Sequence, residues 1–514
     1  MAEPTTAIII GAGPAGIAMG YHLKQTLGTD DFAIFDQNPA AGGTWYSNSY
    51  PGCGCDVPSH FYSFSFALNP DWSRPLCERG EILAYLDTVV DKNDLRPHFF
   101  FNTSCLGARW DDASATWEVD FKNLMTRQQY SRRTRMFVSA TGFFSLPKYP
   151  QIPGRESFQG PSWHSGKWDH SYDIRDKDIA VVGNGCSGCQ VIPAVAPTVR
   201  SITHYTRSKQ WFFERPNVPY TIFQKWSFRN IPLWMRWNRF WTYFNVDSLF
   251  LEYVNLPQSD ALRNVSQKEA FDYMVKTAPK KYHDQLIPEY PVGCKRRVLD
   301  PGYLASLHRE NVVLESRKID HIDEKGIVLA DGSRSEYDAI VYATGFKTQS
   351  FLAPMEIVGQ GGQSLNDHWR ETGGCQAYHG TTVSGYPNLA ILFGPNASPA
   401  HNSVIYSVEV QVEYVIKTFF EPLLSKRATA IAVKRSAEDY DCNLVQLGLK
   451  GSVWHSGCNN WTLNEFGRNC SNFPGYVRSF WWKLYSPKWK DYILKVNRET
   501  RNTLCSLLII ALGW

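Results

Sequence analysis

The stretch Ala7–Gln37, AIIIGAGPAGIAMGYHLKQTLGTDDFAIFDQ, decides the fold. A short apolar run, AIII, leads straight into GAGPAG, a helix-like IAMGYHLKQTLG follows, and FAIFDQ is a second apolar run. Strand, glycine turn, helix and strand in that order form the βαβ unit of a doubly wound parallel sheet. Gly11, Gly13 and Gly16 fill the GxGxxG positions. The first glycine permits the tight turn, the second lets backbone approach a pyrophosphate, and the third lets helix pack on strand. The helix then meets the phosphates with its positive dipole end. Asp36, twenty residues past Gly16, supplies the carboxylate expected to bind a ribose hydroxyl.

The same grammar recurs after Lys177, as DIAVV, GNGCSG, CQVIPAVA and SITHYTRS. Gly183, Asn184, Gly185, Cys186, Ser187 and Gly188 make this second loop, and nineteen residues past Gly188 the chain carries Arg207, preceded by Thr206. A cation there pairs a 2′-phosphate, which favours NADPH over NADH. Two loops with different ribose chemistry imply two cofactors, FAD at the first and NADP at the second. Cys186 and Cys189 form a CxxC inside the second loop and raise the rival reading of a flavoprotein disulfide reductase. A disulfide would distort the binding turn there, so small packing residues are the favoured reading.

Working outward, the expected fold class is α/β, with two Rossmann-like domains, one inserted in the other, and a helical insertion. Residues 1–145 and 343–514 are assigned to the FAD-binding domain, with the C-terminal region. Residues 146–210 and 286–342 are assigned to the NADP-binding domain, and 211–285 to the insertion. WEVDF and MFVSATGFF read as strands of an antiparallel flap returning to the sheet; VVLES, GIVLADGS and DAIVYATGF read as later strands. NLAILFGPN and SVEVQVEYVIKTFFEPLL complete the first domain.

A net charge of +4 on 514 residues, with no like-charged block, leaves no footprint for nucleic acid. The N-terminus lacks the layout of a signal peptide, and twelve scattered cysteines fit a reducing compartment, so a cytoplasmic location is expected. No metal site is read. Two stretches complicate this picture: the aromatic Thr221–Val254, interleaved with Lys and Arg, and the terminal LCSLLIIALGW. Packing against the rest of the protein is the favoured reading of both, and peripheral contact with a membrane surface is the alternative.

Two longer patterns carry a family resemblance. Phe158, Gly160, His164 and Trp168 satisfy FxGxxxHxxxW, and GGTWYSNSYPGCGCD supplies Gly42, Gly43, Trp45, Tyr50, Pro51, Gly52 and Asp56. With both glycine loops, the chain resembles the type I Baeyer–Villiger monooxygenases over essentially its whole length, fungal members included. The resemblance implies that Gly43, Thr44, Trp45, Tyr46, Gly54, Cys55, Asp56 and Tyr62 lie about the flavin. Lys295 would hold the NADP phosphate, and Trp461 would close over NADP. His164, with the two ATG segments Ala140–Gly142 and Ala343–Gly345, would couple the domains. Arg296 becomes the catalytic cation, oriented by Asp56, while Arg297 reads as solvated charge. Asn460 and Thr462 depart from the family's usual Ser and Tyr around Trp461.

The implied reaction converts a ketone to an ester or lactone with O2 and NADPH through an FAD C4a-peroxide, with secondary metabolism as the context suggested by the fungal likeness. Oxygenation of sulfur, nitrogen or an alkene remains open at this point. So does a derived cyclase or isomerase that has lost oxygenation.

Overall fold

The computed structural model describes residues 3–458 and 460–496; the terminal run LCSLLIIALGW lies outside them. β1 (Thr5–Ile10) is buried along nearly its whole length, as a central parallel strand must be. It feeds α1 (Pro14–Tyr21), and β2 (Phe32–Phe35) lies parallel beside β1 with Ile9 opposite Ile34. The one-turn α2 (Thr44–Ser47) and the longer α3 (Arg79–Lys92) precede β3 (Phe99–Phe100), which extends the sheet past β2. β4 (Thr103–Asp111), β5 (Thr116–Asn123) and β6 (Gln129–Ser139) form the expected antiparallel flap. β6 is long enough to serve twice: its first half pairs with β5, and its second runs parallel to β1 with Ser139 opposite Ile10.

The chain then builds a second sheet. β7 (Ser162–His164) comes first, followed by β8 (Asp178–Val182), α4 (Cys186–Val195) and β9 (Ser201–Tyr205). β10 (Phe212–Phe213) leads into three helices, α5 (Ile222–Asn230), α6 (Trp234–Ser248) and α7 (Pro257–Thr277). β11 (Val298–Leu299) pairs with β10, and β12 (Val312–Glu315) lies parallel to β9. GIVLADGS does not join the parallel sheet: β13 (Ile319–Ile322), β14 (Gly326–Leu329) and β15 (Arg334–Glu336) make an antiparallel sheet of their own. β16 (Ala339–Tyr342) slots between β8 and β7, giving the order β12-β9-β8-β16-β7.

The return to the first sheet is direct. β17 (Glu356–Val358) adds beside β4, and β18 (Leu389–Ile391) runs parallel to the end of β6. Trp117, fully buried on β5, donates its indole N–H to the Pro387 carbonyl at 2.8 Å and fixes that join. The α/β architecture of two parallel-stranded units is therefore as the sequence implies.

The aromatic stretch is only partly covered. α5 and α6 pack on the protein, as the favoured reading has it, but most of their large aromatic side chains face outward: Trp237, Phe240 and Trp241 are each more than half exposed. What turns inward is mixed: Phe228 is buried, Tyr243 packs against Phe61 and Tyr406, and polar groups lie beside them. Arg239 donates to the carbonyls of His60 and Ser63 at 2.9 and 2.8 Å and pairs with Glu409 at 3.6 Å. Sequence periodicity identifies the two faces of α6 but not which one the body of the protein takes, because Arg239's partners come from distant segments.

Three buried histidines bear on stability. Burial lowers His60, His164 and His204 to about 4. An unfolded histidine titrates near 6.5, so below that pH the unfolded chain binds protons that the fold refuses. Their contribution is complete above about pH 6.5 and is lost as pH falls toward 4, at up to about 1.4 kcal/mol per pH unit for each. Thermal midpoints recorded from pH 8 down to 4 should hold and then fall steeply below about 6.5.

Candidate functional site

Both glycine loops are held by the same backbone contact. Gly11 and Gly183 sit at φ +112° and +109°, and a Cβ on either would lie 2.5 Å from the carbonyl oxygen of Ala140 or Ala343. Only glycine fits such positions. Each ATG segment therefore presses against a loop: Ala140–Gly142 on the first, Ala343–Gly345 on the second. Neither α1 nor α4 has a side-chain cap at its Gly13 or Gly185 start, which leaves first-turn N–H groups for phosphate oxygens.

Around the first loop, Gly13 and Gly43 approach backbone to backbone; a Cβ on Gly43 would lie 2.7 Å from the Gly13 Cα. Asp36 is buried, with its carboxylate accepting the Ala12 N–H at 2.7 Å and the Asn38 N–H at 2.8 Å; burial pushes its pKa up. Trp45 donates its indole N–H to Tyr62 at 3.1 Å, while Thr44 and Tyr46 begin the turn of α2. Cys55 donates its N–H to the Cys77 carbonyl at 2.9 Å, and burial raises its thiol far above the usual range. These placements leave a backbone-lined cradle of the kind a dinucleotide's pyrophosphate occupies.

The Tyr50–Gly54 segment joins the two loops. Tyr50 donates to the Gln190 side chain on α4 at 2.8 Å, and Gln190 donates to the Gly54 carbonyl at 3.0 Å. Arg215 also donates to the Cys55 carbonyl, at 3.3 Å. Sequence reasoning did not single out Gln190 or Arg215; the position of Gln190 just after a glycine loop was the one available signal. Cys186 and Cys189 are both free thiols raised by burial, Cys186 to about 11, which suits packing and not thiol exchange.

At the second loop, Asn184 donates to the Ser208 carbonyl, and the Thr206 N–H reaches the Glu315 carbonyl at 2.8 Å. Arg207 is exposed. Burial and the neighbouring Arg207 charge lower Lys295, whose ammonium lies 4.8 Å from the Tyr290 ring centre. Two cations thus converge beside the second loop.

Arg296 meets Asp56 as expected. Its Nε and Nη2 donate to one carboxylate oxygen at 3.0 and 2.8 Å, and Nη1 donates to the Ala400 carbonyl at 3.2 Å. The Asp56 charge raises Arg296 well above its ordinary value, so the guanidinium is permanently charged. It faces a cleft lined also by Tyr253, Lys295, Trp454, Trp461 and Thr462. Trp461 is partly exposed, its ring near Phe143 and Phe144, and its carbonyl accepts from Gln349 at 3.1 Å.

The fingerprint residues lie away from this cleft's charged end. Gly160 is required because a Cβ would lie 2.7 Å from the Phe158 ring. Trp168 packs edge-on against Trp163. His164 is fully buried beside the Gly345 backbone, accepts the Gly166 N–H at 3.0 Å, and touches Tyr149 and Phe346.

Two expectations are corrected here. Arg297 is not solvated charge: its side chain is 17% exposed, forms an ion pair with Glu252, and stacks over Phe213 at 4.8 Å. Nor are all cysteines reduced, since Cys294 and Cys458, 164 residues apart, form a disulfide. The fold, and not local spacing, brings both partners together. The disulfide ties the Lys295–Arg296 segment to the loop carrying Trp461.

The family described as pyridine nucleotide-disulphide oxidoreductase matches residues 8–229. A Baeyer–Villiger monooxygenase of Pseudomonas aeruginosa is 34% identical over 92% of this chain and 88% of its own length. The FAD-binding monooxygenase ktnD of Aspergillus niger is 33% identical over 95% of this chain and 82% of its own. Among solved structures, the OTEMO complex with FAD and NADP superposes with a TM-score of 0.83 at 25% identity, covering 96% of this chain and 100% of that one.

Removing Glu252 leaves a buried cation without its partner. Glu252→Ala should cost about 3–5 kcal/mol, read as a lowered unfolding midpoint, and the double change Glu252→Leu with Arg297→Met should recover most of it.

Proposed function

This chain belongs to the Baeyer–Villiger monooxygenases, and we propose that it converts a ketone to an ester or lactone in a site centred on Arg296. The enzyme is an FAD- and NADPH-dependent monooxygenase. One oxygen atom of O2 enters the product beside the carbonyl carbon, the other leaves as water, and NADPH supplies the two electrons. Bound flavin supplies the reduction of O2 and the delivery of oxygen to substrate.

The residues fit that chemistry. The first loop, with Gly11, Gly13, Gly16, Asp36 and the Gly43–Tyr46 turn, would hold FAD. Asp36 would exchange one backbone partner for a ribose hydroxyl. Gly183–Gly188 and Thr206 would hold the pyrophosphate side of NADP, with Arg207 and Lys295 gripping its 2′-phosphate. Domain assignments follow the same division: residues 1–145 and 343–514 for FAD, 146–210 and 286–342 for NADP, 211–285 as the insertion. His164 and Trp168 would couple the units and do no chemistry themselves.

The observation that carries the reading is the Arg296–Asp56 pair, whose guanidinium residue lines the cleft. Attack on a ketone puts negative charge on the carbonyl oxygen. A fixed guanidinium stabilises that charge without reorganising, and Asp56 holds its plane in place. The cleft walls, Tyr253, Trp454 and Trp461, would exclude water and receive an apolar ketone. Secondary metabolism is the proposed context, resting on the fungal relative. No helix among the described residues is long and apolar enough to cross a membrane. The enzyme is proposed to work in the cytoplasm, in contact with a membrane surface through its aromatic helices.

Arg296→Ala should retain FAD and NADPH oxidation while ester formation falls by roughly 10²–10³, about 3–4 kcal/mol of barrier. Product mass after turnover in heavy-isotope O2 reads this directly, and unchanged ester yield overturns the role. Arg207→Ala and Lys295→Ala should each raise KM for NADPH by roughly tenfold or more, with NADH kinetics little altered.

A further inference from the structure

α6 leaves most of its large aromatic side chains outside. Toward the protein it presents Asn238, Arg239, Thr242, the buried Asp247 and Tyr243, which packs on Phe61 and Tyr406. Asp247 accepts the Val477 N–H at 2.7 Å and pairs with His401 at 3.3 Å. Toward solvent, α6 presents Trp237, Phe240, Trp241 and Phe244, between 46% and 56% exposed. The preceding helix and turn extend the same surface through Phe223, Trp226 and Leu233, which are 70%, 52% and 74% exposed. A half-exposed aromatic offers on the order of 100 Å², so the hairpin's outer face exceeds the few hundred Å² that a free surface usually carries.

Charge distinguishes what covers it. From Thr221 to Val246 the chain holds Lys225, Arg229, Arg236 and Arg239 and no acidic residue. Arg239 is turned inward to Glu409, and Arg229 pairs with Asp71. Lys225 and Arg236 have no carboxylate partner among the described residues. A second copy of this chain would set cations against cations across a two-fold interface. An anionic bilayer meets both features at once, with tryptophans in the headgroup region and lysine and arginine at phosphate level.

We propose that the α5–α6 hairpin is a peripheral docking element for an anionic phospholipid surface, lying in the interface plane without crossing it. It deepens, and rests on, the membrane contact proposed above; it does not depend on which group is oxygenated. Flotation of the flavin-loaded full chain with vesicles tests it. The protein should float with phosphatidylcholine–phosphatidylglycerol vesicles, and about tenfold or more weakly with phosphatidylcholine alone. Trp237→Ser, Trp241→Ser and Phe244→Ser together should reduce flotation by more than about tenfold. Lys225→Glu with Arg236→Glu should abolish the preference for anionic lipid. Flavin content and lipid-free NADPH oxidation should match the parent in both variants, which keeps this test separate from the oxygenase reading. Equal flotation of the triple variant overturns the proposal, as does failure of the parent to float. So does a concentration-dependent dimer, seen by light scattering without lipid, that the triple variant abolishes. Loss of flotation in Leu508→Asp with Ile510→Asp, the hairpin being intact, overturns it in favour of the terminal run.

Discussion

One ion pair, Arg296 with Asp56, joins residues 240 positions apart and organises what surrounds it. Asp56 ends the Gly42–Asp56 stretch that packs on the first loop and reaches α4 through Gln190. Arg296 belongs to a segment fixed on both sides, by the Arg297–Glu252 pair and by the Cys294–Cys458 disulfide. A cation so braced keeps its direction when the cleft empties and fills. That is the requirement for stabilising charge that appears only during reaction. The helical insertion is part of this brace, since Glu252 and Tyr253 both sit on the buried turn between α6 and α7.

The two nucleotide units repeat a contact as well as a motif. In each, a left-handed glycine meets an alanine carbonyl where the chain leaves the sheet: Gly11 with Ala140, Gly183 with Ala343. The phosphate loop and the exit segment are therefore one mechanical part. A rotation of one unit against the other has to act at these exits, and His164, opposite Tyr342 in the register of β7 and β16, stands beside the second.

Legibility in the sequence followed the range of the interaction. The two glycine turns, Gly11–Gly16 and Gly183–Gly188, were readable because strand, turn and helix follow one another within a short stretch of chain. Arg296 and Asp56 were readable only through long motifs, since nothing local reveals their pairing. Arg297 was misread, and the disulfide and the outward side of α6 were not read at all, for one shared reason: each depends on a partner supplied by a distant segment. The last cation of a Lys-Arg-Arg run reads as solvated charge until Glu252 is placed beside it. Which aromatics of α6 turn inward depends on where Glu409, Phe61 and Tyr406 stand.

The division of the first sheet also sets a timetable. β6 ends at Ser139 and its parallel neighbour β18 begins at Leu389, about 250 residues later. At the ~5–20 residues per second of translation, that interval is roughly ten to fifty seconds. Throughout it, the buried second half of β6 has β1 on one side and no strand on the other. The nascent first unit thus carries an open, apolar edge while the entire second unit is being made, and insertion of one domain into another becomes a period of exposure that chaperones must cover.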